Sequence, residues 1–209
     1  MPDLSENAPS PFRTKQERAE ERAQKREAVL RAAVRLFNAR GFHTTSLDDV
    51  AASLGISKPT IYHYLGNKEQ VLIECISRGL RELQAAADEA HAMPGNGLER
   101  LRHFLRSYAE VNMDDFGRCV IRTNDESLSA EGSRRFRELK REIDTAMRGL
   151  IAEGMADGSI VQGDVKLVGF TLAGALNWPG RWYQPGGETP AAQLAADMVD
   201  ILCAGLEPR

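Results

Sequence analysis

The sequence predicts an all-α protein in which a small N-terminal helical domain precedes a larger C-terminal helical domain. Apolar residues recur at spacings of three and four along most of the 209 residues, as in amphipathic helices. Glycine and proline interrupt this pattern, for example at Met93-Pro94-Gly95, and so divide the chain into separate helices. No segment shows the alternation of apolar and polar residues that is typical of a half-buried strand.

The first element is a long helix that follows a polar N-terminal arm. Residues 1–14 contain three prolines and no periodicity, so we expect a disordered arm. Apolar residues at helical spacing then predict a helix from Lys15 to Ala39, and Gly41 provides a stop signal.

Two short helices on either side of a glycine come next. Ser46 and Asp49 have the spacing of a capping box and place a helix start directly after Ser46. Gly55 then allows a sharp turn, because glycine tolerates a positive φ. Ser57 is a suitable N-cap for the following helix, and Pro59 is acceptable in its first turn.

Five further helices are expected in the rest of the chain. A less regular stretch surrounds Cys119, and a loop rich in glycine and proline runs from Pro179 to Pro190. The expected helices cover residues 68–92, 98–113, 136–158, 165–178 and 191–206.

Charge is distributed unevenly along the chain. The formal net charge is −3, but residues 1–68 contain 11 Lys and Arg against 8 Asp and Glu, whereas residues 69–209 contain 16 against 22. The first third of the chain is thus net basic and the rest is net acidic, which favours contact of the first third with the phosphates of nucleic acid.

Several classes of protein are excluded by composition. No apolar run approaches the roughly 18 residues of a membrane span, so we expect no membrane association. The N-terminus has no apolar stretch and therefore does not resemble a secretory signal. Three widely separated cysteines favour reduced thiols in a cytoplasmic protein. The histidines and cysteines show no metal-ligand spacing, so neither a metal nor another cofactor is expected.

The third helix has an outer surface suited to DNA. Ile61 and Leu65 are expected to face the core, which leaves hydroxyl, cationic and aromatic side chains outside. Such a helix, crossing its predecessor at a glycine turn, fits a major groove about 12 Å wide. Burial of Tyr62 and Tyr64 is the alternative, and we expect one of them to pack inward.

The segment RAAVRLFNARGFHTTSLDDVAASLGISKPTIYHYLGNKEQVL resembles the N-terminal domain of TetR/AcrR family regulators. The spaced elements Leu-Phe-x-x-x-Gly-Phe, T-I-Y-x-Y and N-K-E-x-x-L occur in order, and the visible departure is Leu65, where the family usually has Phe. The resemblance implies a helix-turn-helix at residues 45–64 within a DNA-binding domain at 15–68, and an effector-binding and dimerisation domain at 69–209. The candidate contacts with an operator are Thr45, Ser57, Lys58, Thr60, Tyr62, His63, Tyr64 and Lys68.

The resemblance also implies a homodimer, because one short recognition helix gives little affinity by itself. Residues 165–178 are apolar on nearly every face, and together with residues 191–206 they are the expected dimer helices. A central core helix within one subunit is the alternative for residues 165–178.

Residues 175–187 contain a cluster of aromatic side chains. They resemble an Asn-Trp…Trp-Tyr element in TetR-type regulators of lipid and steroid catabolism, several of which respond to acyl-CoA thioesters. A structural aromatic corner is the alternative to a small-molecule effector site. The candidate effector residues are Phe104, Tyr108, Arg122, Met147, Asn177, Trp178, Arg181 and Trp182.

Two other functions remain open at the level of the sequence. A DNA-binding architectural protein would have the same N-terminal motif without an effector cavity. An enzyme acting on acyl-thioesters is less well supported, because no glycine-rich phosphate loop, nucleophile elbow or zinc-protease motif is present and no catalytic residue can be named.

Overall fold

A computed structural model describes residues 14–208, and in this range the chain forms helices, turns and loops but no strand. One 3-10 turn occupies Asp125–Ser127. The α-helices of this part of the chain are α1 (Lys15–Arg40), α2 (Leu47–Leu54), α3 (Lys58–Leu65), α4 (Lys68–Ala92), α5 (Gly97–Met113), α6 (Asp115–Arg122), α7 (Ala130–Ala156), α8 (Val165–Asn177), α9 (Pro179–Trp182) and α10 (Ala191–Ala204). The all-α prediction is confirmed.

The start of α1 agrees with the sequence prediction. Thr14 accepts the backbone N–H of Glu17 at 3.2 Å, and the Glu17 carboxylate accepts the N–H of Thr14 at 2.7 Å. This capping box satisfies N–H groups that have no helical partner. Residues 1–13 of the expected disordered arm lie outside the described residues.

Two short helices occupy regions that the sequence did not assign to helix. Residues 115–122 form α6 because the Asp114 carboxylate caps the N–H of Phe116. Pro179 begins α9 inside the expected loop, since its missing N–H and fixed φ suit a first helical turn.

The N-terminal helices α1, α2 and α3 share one apolar core. Val34, Val50 and Ile61 are fully buried in it, and Phe37 and Leu65 are nearly so. These residues lie on the inner faces that the helical periodicity indicates.

The remaining helices pack around a second part of the core, which includes Leu101, Phe116 and Leu150. Gly97 at the start of α5 lies against Gly154 of α7, so that a Cβ on Gly97 would be 2.3 Å from the Gly154 backbone. The two helices therefore touch directly at this point. No helix within residues 14–208 has the length and apolar character needed to cross a membrane.

α1 is fastened to α6 by polar contacts. Arg35 Nε lies 2.8 Å from the Asp115 carboxylate, and the buried Asn38 donates to the Asp115 carbonyl at 2.7 Å. Arg122 also donates to the Asn38 carbonyl and, at 3.2 Å, to the Gly180 carbonyl. The end of α6 thus connects the N-terminal helices with α9.

Candidate nucleic-acid interface and ligand cavity

The turn between α2 and α3 has the geometry that the sequence predicts. Ser46 accepts the N–H of Asp49 at 3.1 Å, and the Asp49 carboxylate accepts the N–H of Ser46 at 2.7 Å. Hydrogen bonds from the Ser46 side chain and backbone lower the pKa of Asp49. Gly55 ends α2 in the left-handed region at φ 64°, where a Cβ would be strained.

α3 presents a polar surface to solvent. Ile61 and Leu65 are buried as expected, whereas Tyr62 is 51% exposed. Tyr64 packs against the core and is half-buried, so it is the aromatic residue of this helix that turns inward. Ser57, Lys58, Thr60, Tyr62 and His63 form the outer face, which we call the α3 face.

Two contacts hold polar groups of the α3 face in place. The hydroxyls of Ser57 and Thr60 lie 2.8 Å apart. Lys58 forms an ion pair with Asp48 of α2, and this hydrogen-bonded partner raises the pKa of Lys58. The lysine is therefore charged at neutral pH, although a carboxylate accompanies it.

Thr45 lies away from the exposed surface, contrary to the expectation that its side chain contacts DNA. It is 1% exposed, and its hydroxyl donates to the Gly41 carbonyl at 2.8 Å. Its physical role is to close the chain between α1 and α2. The adjacent Thr44 is the exposed threonine of this loop, and the sequence alone does not show which of two neighbouring threonines faces solvent.

The first turns of α2 and α4 border one shallow depression beside the α3 face. Its wall includes Thr44, Ser46 and Tyr62, together with Asn67 and Lys68. Free N–H groups and the helix dipole make such N-termini favourable for phosphate. Asn67 was not among the predicted residues, although it is recognisable as the N-cap that precedes α4.

Lys68 is held at the edge of this depression. Its ammonium lies 4.3 Å from the centroid of the Phe42 ring and 3.4 Å from the His43 carbonyl oxygen. Partial burial lowers the pKa of Lys68. The cation is thus positioned next to the two helix N-termini.

The C-terminal half contains a cavity of about 550 Å³. Its inner wall consists of buried residues such as Leu83, and its outer wall includes the exposed Phe170. Five predicted effector residues line it, namely Tyr108, Met147, Asn177, Trp178 and Arg181. We call this space the α4–α8 cavity.

Three other predicted effector residues do not lie in the wall of the α4–α8 cavity. Phe104 is fully buried behind Tyr108, with ring centroids 5.7 Å apart. Arg122 instead lines a separate cavity at the junction with α1. There its guanidinium donates hydrogen bonds to backbone carbonyls. Trp182 stays 49% exposed at the surface, because its neighbours Pro179 and Gly180 form the inner side of α9.

Polar side chains meet inside the α4–α8 cavity. The Asn177 carbonyl oxygen accepts the Tyr108 hydroxyl at 2.8 Å and the Asn112 amide at 2.9 Å. Burial raises the pKa of Tyr108, so the phenol stays protonated at neutral pH. Asn112 was not predicted, since a single asparagine on a helix gives no periodic signal.

Charged side chains also lie in the cavity wall. Asp144 is paired with Arg148 at 2.8 Å. Lys140 and Arg181 supply two cations, and the contact between the Arg181 guanidinium and the Ile121 carbonyl is long, at 3.5 Å. The wall therefore favours an anionic group on whatever occupies the cavity.

α8 and α10 expose an apolar surface on the outside of the molecule. Leu167, Phe170 and Trp178 are 65%, 54% and 62% exposed, and Ile201 is 76% exposed. Residues 165–178 are therefore not a central core helix, because one side of the helix has no partner within the described chain.

The three cysteines are buried thiols. Burial raises the pKa of Cys119 to about 12 and raises that of Cys75 and Cys203 as well. A protonated, buried thiol is a poor nucleophile. Within residues 14–208 there is no group of three His, Cys, Asp or Glu that could hold a metal ion.

Comparison with known proteins gives consistent matches. Residues 29–75 match the model of the bacterial regulatory proteins of the tetR family, and residues 94–206 match the tetracyclin repressor-like C-terminal domain. The HTH-type transcriptional repressor KstR2 of Mycolicibacterium smegmatis is 28% identical over 88% of this chain and 91% of its own length.

Solved structures share the fold. The TetR family regulator PfmR of Thermus thermophilus is 31% identical, with a TM-score of 0.77 over 86% of this chain and 99% of its own. AibR in complex with isovaleryl coenzyme A and operator DNA is 23% identical, with a TM-score of 0.74 over 85% and 97%. The C-terminal match alone covers more than half of the sequence, and the chain is a transcriptional regulator that belongs to the TetR family.

Proposed function

We propose that this regulator is a repressor that binds a palindromic operator as a homodimer and leaves it when a small anionic effector with an apolar body, such as an acyl-CoA, binds. Residues 15–68 would form the DNA-binding domain, and residues 69–209 the effector-binding and dimerisation domain. The observation that carries the proposal is the outward polar α3 face beside two helix N-termini.

The outer side chains divide into two roles. Lys58, Thr60 and Tyr62 lie on the α3 face and are the residues proposed to read base edges, because cations and hydroxyls bond to the edges in the major groove. Lys68 and the N-terminus of α4 are proposed to hold a phosphate, which fixes the register without reading sequence. Ser57, His63 and the outer edge of Tyr64 complete the contact surface.

The apolar surface of α8 and α10 supports the homodimer. Exposed Leu167, Phe170 and Ile201 side chains on these two helices form a patch that a monomer would leave in water. A two-fold symmetric partner buries the same patch on both copies, and it places two α3 faces on one side of the DNA.

The α4–α8 cavity supports the effector. Its volume of about 550 Å³ lies within the range of small-molecule sites. The inner wall is largely apolar, whereas Lys140 and Arg181 provide cations nearer the opening. AibR, which has the same fold, has been solved with an acyl-CoA, and the charge pattern here suits such a thioester.

Operator binding is tested by selecting DNA from a random pool with the purified protein and measuring the affinity of the recovered sequence. The expected result is a near-palindrome bound by a dimer, with an affinity that falls as salt rises because phosphate contacts release counterions. Recovery of no common sequence would contradict the proposal. Such a result would instead favour an architectural DNA-binding protein, a function in which the cavity has no role.

The effector class is tested by adding acyl-CoA thioesters of increasing chain length to the operator complex. Release by a thioester but not by free CoA is expected, because the apolar wall binds the acyl group. A shift of the unfolding temperature measures binding to the protein itself. If neither release nor a shift occurs with any chain length, the acyl-CoA class is wrong.

A further inference from the structure

Lys140 belongs both to the wall of the α4–α8 cavity and to an ion pair outside it. The residue lies in α7, and its ammonium is 3.3 Å from a carboxylate oxygen of Asp125. The same ammonium lies 4.0 Å from the centroid of the Phe136 ring, a cation–π contact. The side chain is 43% exposed, so a ligand in the cavity can reach its charge.

Asp125 begins the 3-10 turn Asp125–Ser127, and this turn contacts the DNA-binding half. The Ser127 hydroxyl lies 3.1 Å from His43 Nε2, in the loop that carries Thr44. Two residues after the turn, the Ser129 N–H donates to the Glu69 carboxylate at 2.6 Å. The turn therefore lies between a cation of the cavity and the segments that border the proposed phosphate site.

We propose that Lys140 is the anion-binding residue of the effector cavity. An anionic effector binds the Lys140 ammonium in place of the Asp125 carboxylate. Loss of this ion pair loosens the turn Asp125–Ser127, which supports the DNA-binding surface. The inference deepens the proposed function and rests on it. The ligand would be a phosphate- or carboxylate-bearing apolar molecule, such as an acyl-CoA.

The charges around the turn explain why one lysine suffices for this exchange. Arg137 also faces Asp125, but its Nε is 3.8 Å from the carboxylate and its side chain is 61% exposed. Lys140 is thus the closer of the two cations, and it is the one that lines the cavity. When the Lys140 ammonium binds a ligand, Asp125 keeps only Arg137, its more distant partner.

The first test needs no ligand. Lys140→Gln and Asp125→Asn each remove the ion pair, and each is expected to weaken operator binding about fivefold, the lower end of usual coupling between sites. The double variant should bind the operator no more weakly than Asp125→Asn, because Asp125→Asn alone already removes the contact with Lys140. Arg141→Gln is the matched control, since Arg141 is an exposed cation of α7 without an ion-pair partner among residues 14–208.

The proposal would be overturned if both single variants bound the operator as tightly as the wild type does. Unfolding temperatures must show that all of these proteins are folded. Weakening in Arg141→Gln to the same degree would overturn it as well, because general surface charge would then account for the effect.

The second test uses decanoyl-CoA as the ligand. Lys140→Gln should bind it about tenfold more weakly, whereas Asp125→Asn should bind it more tightly, because the competing carboxylate is gone and coupling between sites is reciprocal. Opposite changes in one ion pair are not expected from a merely structural contact. Unchanged affinity in Lys140→Gln, or weaker binding in Asp125→Asn, contradicts the role of Lys140.

Binding of decanoyl-CoA to the wild type and to Lys140→Gln distinguishes the effector class from the role of Lys140. If the wild type binds the operator but binds neither decanoyl-CoA nor a shorter thioester, the effector class proposed above is wrong. Wild-type protein that binds decanoyl-CoA while Lys140→Gln binds it equally well leaves that class intact and contradicts only the inference about Lys140.

Discussion

Lys58 and Asp48 form an ion pair across the turn that joins α2 to α3. Lys58 is the lysine of the α3 face and begins α3, whereas Asp48 lies on the preceding helix, α2. A phosphate or base edge that approaches Lys58 must therefore compete with a carboxylate that is already there. We therefore expect the pair to limit the attraction of the free protein for DNA of any sequence.

Asp48→Asn is expected to tighten binding to operator and to unrelated DNA alike. An exposed ion pair contributes little in water, so loss of the competitor should lower the Kd by a factor of about five at most. Titration of labelled duplexes at two salt concentrations measures this effect. Asp88→Asn changes an exposed carboxylate of α4 that lies elsewhere and should alter neither affinity; weaker DNA binding by Asp48→Asn would show that Asp48 supports the interface.

Tyr62 and Tyr64 should separate DNA binding from stability. Tyr62→Ala is expected to lose about 1–3 kcal/mol of operator binding without changing the unfolding temperature, because this side chain is exposed. Tyr64→Ala is expected to lower the free energy of unfolding by about 2 kcal/mol, since the half-buried ring packs on the core. Fluorescence anisotropy and thermal unfolding of both variants give the comparison. If both variants lose only stability, the proposed α3 contact with DNA is wrong.

Local signals explain why the N-terminal helices could be predicted well. The capping box of Ser46 and Asp49, the glycine at 55 and the inward positions of Ile61 and Leu65 are all determined within a few residues, and the structure shows each of them. The position of Thr45 is different. Its hydroxyl bonds to the Gly41 carbonyl, and that contact depends on how α1 ends, which no short pattern encodes.

The cavity was harder to predict because its wall is assembled from helices far apart in the chain. The cluster of Asn177, Trp178 and Arg181 gave a compositional signal, and these residues do line the cavity. Asn112 and Lys140 gave none. Arg122 lies outside the wall of this cavity, because backbone carbonyls of α1 and α9 hold its guanidinium. A linear sequence does not reveal long-range partners of this kind.

Ile201→Glu is expected to abolish the proposed homodimer while each chain remains folded. Ile201 is 76% exposed in the single chain, so a carboxylate there has no cost until a partner covers it. In a symmetric dimer two unpaired carboxylates would be desolvated together, at a cost of about 3 kcal/mol or more. Sedimentation or light scattering measures the molecular mass.

A matched variant, Leu54→Glu, introduces the same charge at an exposed leucine of α2. This variant should remain dimeric, because Leu54 lies in the proposed DNA-binding domain. A monomer in Ile201→Glu should also bind the operator much more weakly, since a single α3 face contacts only one half-site. A dimer that persists in Ile201→Glu places the interface on another surface.

Asp157 should give the protein an acid-sensitive component of stability. Hydrogen bonds from Ser159 and from the Gly97 N–H, the latter at 2.7 Å, lower the pKa of this carboxyl. A folded-state pKa below the unfolded value means that the ionised form stabilises the fold above the ordinary pKa, and that this stabilisation is lost as the pH falls through the lowered value. Asp157→Asn should therefore be less stable than the wild type at pH 7, and the difference should shrink toward pH 3. Urea unfolding at several pH values measures this difference, and Asp88→Asn, which changes another exposed carboxylate, is the control. A difference that stays constant over this range would mean that the titration of Asp157 is not linked to folding.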